Sequence, residues 1–135
     1  CTGFIMQCAL AEVFTMGVKA GVEPLALWQA VRRGAQGRRG AFEGLAEHLL
    51  PGKFDPPDFA LRLARKDVDL AASVGREFDV PMKMANLALQ EVTEALNRGW
   101  GNRDSRVAML LQEERAGVEV RVPEEILRQA LESEE

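Results

Sequence analysis

The sequence predicts an all-α fold. Three observations carry that expectation. Apolar residues recur at three- and four-residue intervals through most of the 135 positions. The breaks between these stretches are Gly- and Pro-centred. Only one short stretch, "GVEVRVP" at 117–123, alternates as a strand would. With no internal repeat and no Ser/Gly-rich linker, the length is that of one domain, enough to bury a single core.

The first segment, "CTGFIMQCALAEVFTMGVKAGVEP", is apolar on almost every face through Val18, with Glu12 its only charge before Lys19. Such a segment reads as a helix buried all round. It begins without a convincing N-cap, so it is expected to be the remainder of a longer helix in a longer parent. Gly21 is placed to stop it and Pro24 to start the next, at about 24–33, which carries Leu25, Leu27, Trp28 and Val31. After the break "GAQGRRG" at 34–40, Phe42, Leu45, Ala46 and Leu49 define a short third helix ending at Pro51-Gly52. "PGKFDPP" at 51–57 is a loop, because two prolines fix an extended backbone and remove two donors.

A fourth helix follows from Leu61 to about Phe78. Asp79-Val80-Pro81 opens a fifth, with Leu87, Leu89, Val92 and Leu96 as its apolar set and Gly99 as its stop. "GWGNRD" is a turn in which Asp104 or Asn102 can cap a sixth helix carrying Val107, Leu110 and Leu111. "GVEVRVP" is expected to be an extended arm. Pro123, Glu124 and Glu125 then start a terminal helix with acids at its positive end, so residues 1–122 form the domain and 123–135 a terminal helix or tail.

Composition excludes several classes. A content of 47% hydrophobic and 28% charged residues is that of a soluble globular protein, and a net charge of −4 offers no basic nucleic-acid footprint. The first segment is too short and too broken by Gly17 to span a membrane, and it lacks a signal peptide's basic start. Cys1 and Cys8, on one helix, would stand about 10 Å apart, too far for a disulfide, which suits a reducing cytoplasm. With His48 alone and no Cys or His cluster, no structural zinc site is expected.

The residues that invite chemistry lie in "ARKDVDLA" at 64–71. On a helix, Leu63, Asp67, Leu70 and Val74 form one row, which places a carboxylate in an otherwise apolar, core-facing stripe. Asp67 then needs a donor or a wet cleft. Lys66 and Arg65 can simply pair with Asp69 on a solvated face. Arg38 and Arg39 in "GAQGRRG" can meet an anion, though the stretch lacks the ending of a phosphate loop. His48 is expected to be a surface or half-buried helix-end residue, Trp28 and Trp100 core or interface anchors, and Met82, Met84 and Met109 core filler.

"FALRLARKDVDLA", "DVPM" and "GWGNRDSRV", in this order and spacing, resemble the C-terminal helical domain of the 3-hydroxyisobutyrate dehydrogenase family of β-hydroxyacid dehydrogenases. Phe59, Lys66, Asp67, Leu70 and Ala71 fill the first part of the family pattern, Pro81 the second, and Gly99, Gly101 and Asp104 the third. "ALAEVFTMGVKAGVEP" resembles the family's first helix. The likeness covers about residues 1–122.

The resemblance implies a multi-helix bundle of the 6-phosphogluconate dehydrogenase C-terminal type, the second half of a cytoplasmic NAD- or NADP-dependent oxidoreductase acting on a small hydroxyacid. An N-terminal Rossmann domain would bind most of the cofactor, and a dimer or higher homo-oligomer is expected. By the same resemblance Lys66 reaches the cofactor, Asp67 orders the cleft and Phe59 lines it near nicotinamide and substrate. The family's catalytic lysine is expected upstream of Cys1, so no catalytic residue is assigned to this chain, which is expected to be inactive alone. Arg39 stands about where relatives carry a small hydroxyl residue, which leaves the substrate open. The alternative is a non-catalytic helical oligomerisation or binding module.

Overall fold

The computed structural model describes residues 2–34 and 45–132. Helix α1 runs Thr2–Lys19 and α2 Pro24–Arg33; α3 is a π-type turn, Leu45–Leu49. Helices α4 (Leu61–Glu77) and α5 (Lys83–Ala95) form the principal pair, and α5 continues into a second π turn, Leu96–Trp100. A 3-10 turn, Ser105–Met109, runs into α6 (Leu110–Ala116), and α7 spans Glu124–Glu132. The fold is all-α; among the described residues the one β pairing is a single bridge, Ala60 to Asp104. The "GAQGRRG" stretch beyond Gly34, with Arg38 and Arg39, and Phe42 lie outside the described residues.

Local chemistry explains the ends. Gly21, at φ 94°, is the left-handed residue of a Schellman stop: its N–H reaches Val18 O and the Val22 N–H reaches Gly17 O. Glu23 then caps α2 by accepting the Ala26 N–H at 2.9 Å. The core lies under the start of α4, where Leu61, Val107, Ala95, Leu111, Phe54 and Leu49 are buried together, with Trp100 packed half-buried against them.

Four expectations are corrected. The row Leu63, Asp67, Leu70, Val74 does not face the core: Asp67 is exposed, as is Leu70 at 57%. The buried residues of α4 are Leu61, Ala72 and Gly75, on the row that also carries half-buried Arg65 and Val68. The reason is the close approach of the Met82 side chain to Gly75. A Cβ on Gly75 would collide with Met82, so small residues, not leucines, mark the face on which α4 meets the segment leading into α5. α1 is not covered all round either, since Met6, Val13 and Val18 are exposed. In α5, Leu87 is exposed, as is Met109 in the 3-10 turn.

The fourth concerns Asp79, which ends α4 instead of opening α5. At φ 53° it is the left-handed residue of a second Schellman stop, with the Val80 N–H on Gly75 O at 2.8 Å and its own on Arg76 O at 3.3 Å. Asp79→Gly is therefore expected to stabilise the protein by about 0.5–1 kcal/mol, raising Tm by roughly 2–5 °C in a melting experiment. The Lys19 ammonium bonds the Asp79 carbonyl, which the substitution keeps.

The arm after Gly117 is non-helical, as expected, and a partly buried ion pair fastens it. Arg121 holds Glu113 at 2.8 and 3.2 Å and the Leu49 carbonyl at 3.2 Å, while the Val122 N–H reaches Leu50 O. α7 is joined to the loop after α3 by Lys53–Glu124 at 2.8 Å.

Candidate functional site

The N-terminus of α4 has no side-chain cap. Its first donors are taken by the 99–105 turn: the Leu61 N–H meets Arg103 O at 2.9 Å and the Arg62 N–H meets Gly101 O at 3.0 Å. The Ser105 N–H returns a bond to Phe59 O and the Asp104 N–H one to Phe54 O, both 2.8 Å. Gly99, at φ 83°, supplies the left-handed bend that turns the chain out of α5 toward this contact. Two stretches of the sequence pattern, distant along the chain, thus become one structural unit.

Asp104 is its centre. Fully buried, it accepts the N–H groups of Asp58 (3.1 Å), Phe59 (3.2 Å) and Arg106 (3.0 Å), and the Arg106 guanidinium at 3.1 and 3.3 Å. Burial pushes its carboxyl upward, but the Arg106 and Phe59 amides and the Arg106 charge outweigh it, and the group lies below its ordinary range. The expected capping role of Asp104 is present in the Arg106 contact. Its grip on Asp58 and Phe59 had no local signal, because those residues are more than forty positions away.

His48 is buried, contrary to the surface or half-buried position expected. The loop 51–60 folds back over it: Nδ1 lies 2.8 Å from Lys53 O, and Nε2 lies 3.1 Å from Asp58 Oδ2 and 3.8 Å from Asp104 Oδ2. Burial lowers its pKa, yet the Asp58 carboxylate, the Lys53 carbonyl and the Asp104 charge raise it further, and Arg106 opposes them weakly; the net direction is up. Glu47, His48 and Asp58 each bring a ligand atom within 4.8 Å of the others. A proton on Nε2 satisfies the Asp58 contact without an ion, and the Arg106 charge works against a dication.

The unit presents one face of α4. Leu63, Lys66 and Leu70 follow at three- and four-residue spacing, with Phe59 at the N-terminal end, where it is 41% exposed. The Lys66 side chain is 61% exposed and pairs with Asp67 at 3.0 Å, not with Asp69, which instead faces Arg65 at 3.7 Å. An ammonium beside apolar side chains that reach solvent offers a charge and an apolar surface to an anionic ligand with a flat apolar part. Lys66 and Asp67 thus stand side by side on α4, with Phe59 exposed just before the helix begins, while Arg65 turns inward to Thr93 at 3.1 Å.

Glu12 has a structural use. Its carboxylate crosses from α1 to accept the Met84 and Ala85 N–H groups at 2.7 and 3.2 Å, capping the first turn of α5 from another helix. The signal was its isolation in an apolar segment.

Fold and face together define an all-α domain on which α4 exposes a cation beside apolar side chains. Residues 4–112 match the family model described as NAD-binding of NADP-dependent 3-hydroxyisobutyrate dehydrogenase. The 2-(hydroxymethyl)glutarate dehydrogenase of Eubacterium barkeri is 30% identical over 114 residues, 84% of this chain and 38% of that protein. The L-threonate dehydrogenase of Escherichia coli strain K12 is 31% identical over 94 residues, 70% of this chain and 30% of that protein. The corresponding Haemophilus influenzae enzyme is 30% identical over 94 residues, 70% of this chain and 31% of that protein. The chain belongs to the 3-hydroxyisobutyrate dehydrogenase family. It spans less than two-fifths of the length of these relatives. No helix among the described residues is long and apolar enough to cross a membrane.

Proposed function

We propose that the chain is the helical C-terminal domain of an NAD- or NADP-dependent β-hydroxyacid dehydrogenase, where it completes the active-site cleft. The observation that carries this is the row Leu63, Lys66 and Leu70 along α4, on which Lys66 and Leu70 are exposed, with Phe59 exposed just before the helix begins. These residues fit a dinucleotide: an ammonium for its anionic part, apolar side chains for its ring. When bound, an oxidised nicotinamide cofactor would supply a hydride acceptor for the hydroxyl-bearing carbon, and the hydroxyl proton would pass to the acid/base lysine. Lys66 binds and orients, Phe59 excludes water from the ring's side, and Asp67, 3.0 Å from Lys66, limits the directions in which that ammonium points.

Most of the cofactor and the choice between NAD and NADP are assigned to a Rossmann domain of the full-length protein, and the acid/base lysine to the start of the helix that connects the two domains, so this segment is not expected to turn over substrate unaided. The exposed apolar residues of α1, Met6, Val13 and Val18, support a second role in covering contacts with that domain or with a second subunit, in a cytoplasmic dimer or higher oligomer. A small hydroxyacid is the proposed substrate, supported by the names of the relatives.

The test is Lys66→Ala in the full-length protein. The cofactor Kd is expected to rise about 10- to 100-fold, the equivalent of one charge-assisted hydrogen bond, with Tm unchanged because the side chain is exposed. Unaltered cofactor affinity would remove Lys66 from the site. A full-length protein that binds no nicotinamide cofactor would leave a helical assembly module.

A further inference from the structure

We propose that His48 is a positioning residue for Phe59: a proton held between its Nε2 and the Asp58 carboxylate clamps the Asp58–Phe59 turn onto Asp104, and loss of that proton loosens it. Presentation of Phe59 then answers to pH. The link to the cleft rests on the function proposed above; the clasp itself does not.

The argument is one of donors and acceptors. Lys53 O is an acceptor only, so the Nδ1 that lies 2.8 Å from it must donate. A carboxylate is likewise an acceptor only, and Nε2 lies 3.1 Å from that of Asp58. A neutral imidazole has one N–H, so in either tautomer it turns a lone pair toward an oxygen. Only the imidazolium satisfies both contacts.

The charges around the ring agree. Glu47 neighbours it on α3, Asp58 faces it from the loop, and Asp104 lies 3.8 Å away on the 99–105 turn. Arg106, bonded to Asp104, and burial oppose them, and the balance favours the cation. One Asp104 oxygen, Oδ2, both faces the ring and accepts the N–H groups of Asp58 and Phe59. Deprotonation sets a lone pair against two carboxylates at the point where the Phe59 backbone is held. The sign follows: the turn is clamped below the raised His48 pKa and loosened above it.

The experiment follows three signals in the full-length protein from about pH 6 to about pH 9, the range in which a perturbed histidine titrates. These are the His48 ring nitrogens by NMR, assigned by their loss in His48→Gln, the Phe59 backbone amide, and the Kd for NAD+ or NADP+. The expected result is a ring midpoint above the ordinary 6.5, a Phe59 amide that shifts with the same midpoint, and a cofactor Kd that rises across it. The His48→Gln variant carries no titrating proton at this position and should flatten the Phe59 and Kd curves.

Asp58→Asn is the second variant, and it keeps the fold because that side chain is 55% exposed. It should move the ring midpoint down and carry the Kd curve with it, which a merely structural histidine would not do. A ring midpoint at or below 6.5, or a Phe59 amide indifferent to pH, overturns the clasp. So does a His48 ring that responds to micromolar Zn2+ at neutral pH, since a metal would then hold the carboxylates. If no nicotinamide cofactor binds at any pH, the proposed function fails while the ring and amide signals still judge the clasp.

Discussion

Asp104→Ala is expected to cost about 3–5 kcal/mol, because it strips a buried charge from partners that stay behind. Three backbone donors and the Arg106 guanidinium lose their acceptor, and the imidazolium of His48 loses a nearby anion. Against the roughly 5–15 kcal/mol typical of a domain, a loss of that size brings the protein close to unfolding at ordinary temperature. Asp104→Asn should cost less, since it keeps one acceptor oxygen while setting an amide donor near the donors of Arg106.

The same residue sets the acid limit. Its pKa is depressed in the folded protein, so its contribution is present above the ordinary 3.8 and is lost as pH falls through the lower folded value. His48 works in the opposite direction: its raised pKa gives a contribution present below 6.5 and lost as pH climbs through the folded value. Urea titrations across pH should show the acid-side loss vanish in Asp104→Asn and the loss on raising pH above 6.5 vanish in His48→Gln. If the acid-side loss is unchanged in Asp104→Asn, the buried network is not what stabilises this corner.

These contacts also mark where the sequence was informative. Helical period, the stops at Gly21 and Gly99 and the starts at Pro24 and Glu124 were legible because they are local: a left-handed φ, a missing N–H, an acid at a positive helix end. The exposure of Lys66 was legible from its solvated pairing, whereas a cleft role for Lys66 and Phe59 is an expectation from the resemblance alone. Asp67 was misplaced because the row containing it was weighted by leucine, whereas α4 buries Ala72 and Gly75 and receives the Met82 side chain against Gly75. A residue with no Cβ carries little hydropathic signal and yet permits the closest approach. His48, Asp104 and Glu12 act on atoms from ten to more than seventy positions away, and such spacings leave no periodic trace.

Leu61→Ala and Phe59→Ala should separate scaffold from site, although the two residues are neighbours but one. Leu61 is fully buried, at the head of α4, and its truncation is expected to cost about 2–5 kcal/mol through lost transfer energy and the cavity left behind. The cavity would open beside the bonds from Leu61 and Arg62 to the 99–105 turn, so protection of those two amides from hydrogen exchange should fall as well. Phe59 keeps 41% of its surface in solvent, and its backbone bonds to Asp104 and Ser105 survive truncation. Its loss should leave Tm within a few degrees of wild type while weakening cofactor or substrate binding in the full-length protein. The contrast is the informative result. If Phe59→Ala melts as early as Leu61→Ala, then Phe59 belongs to the core in the assembled protein, and the apolar part of the cleft has to be sought along Leu63 and Leu70.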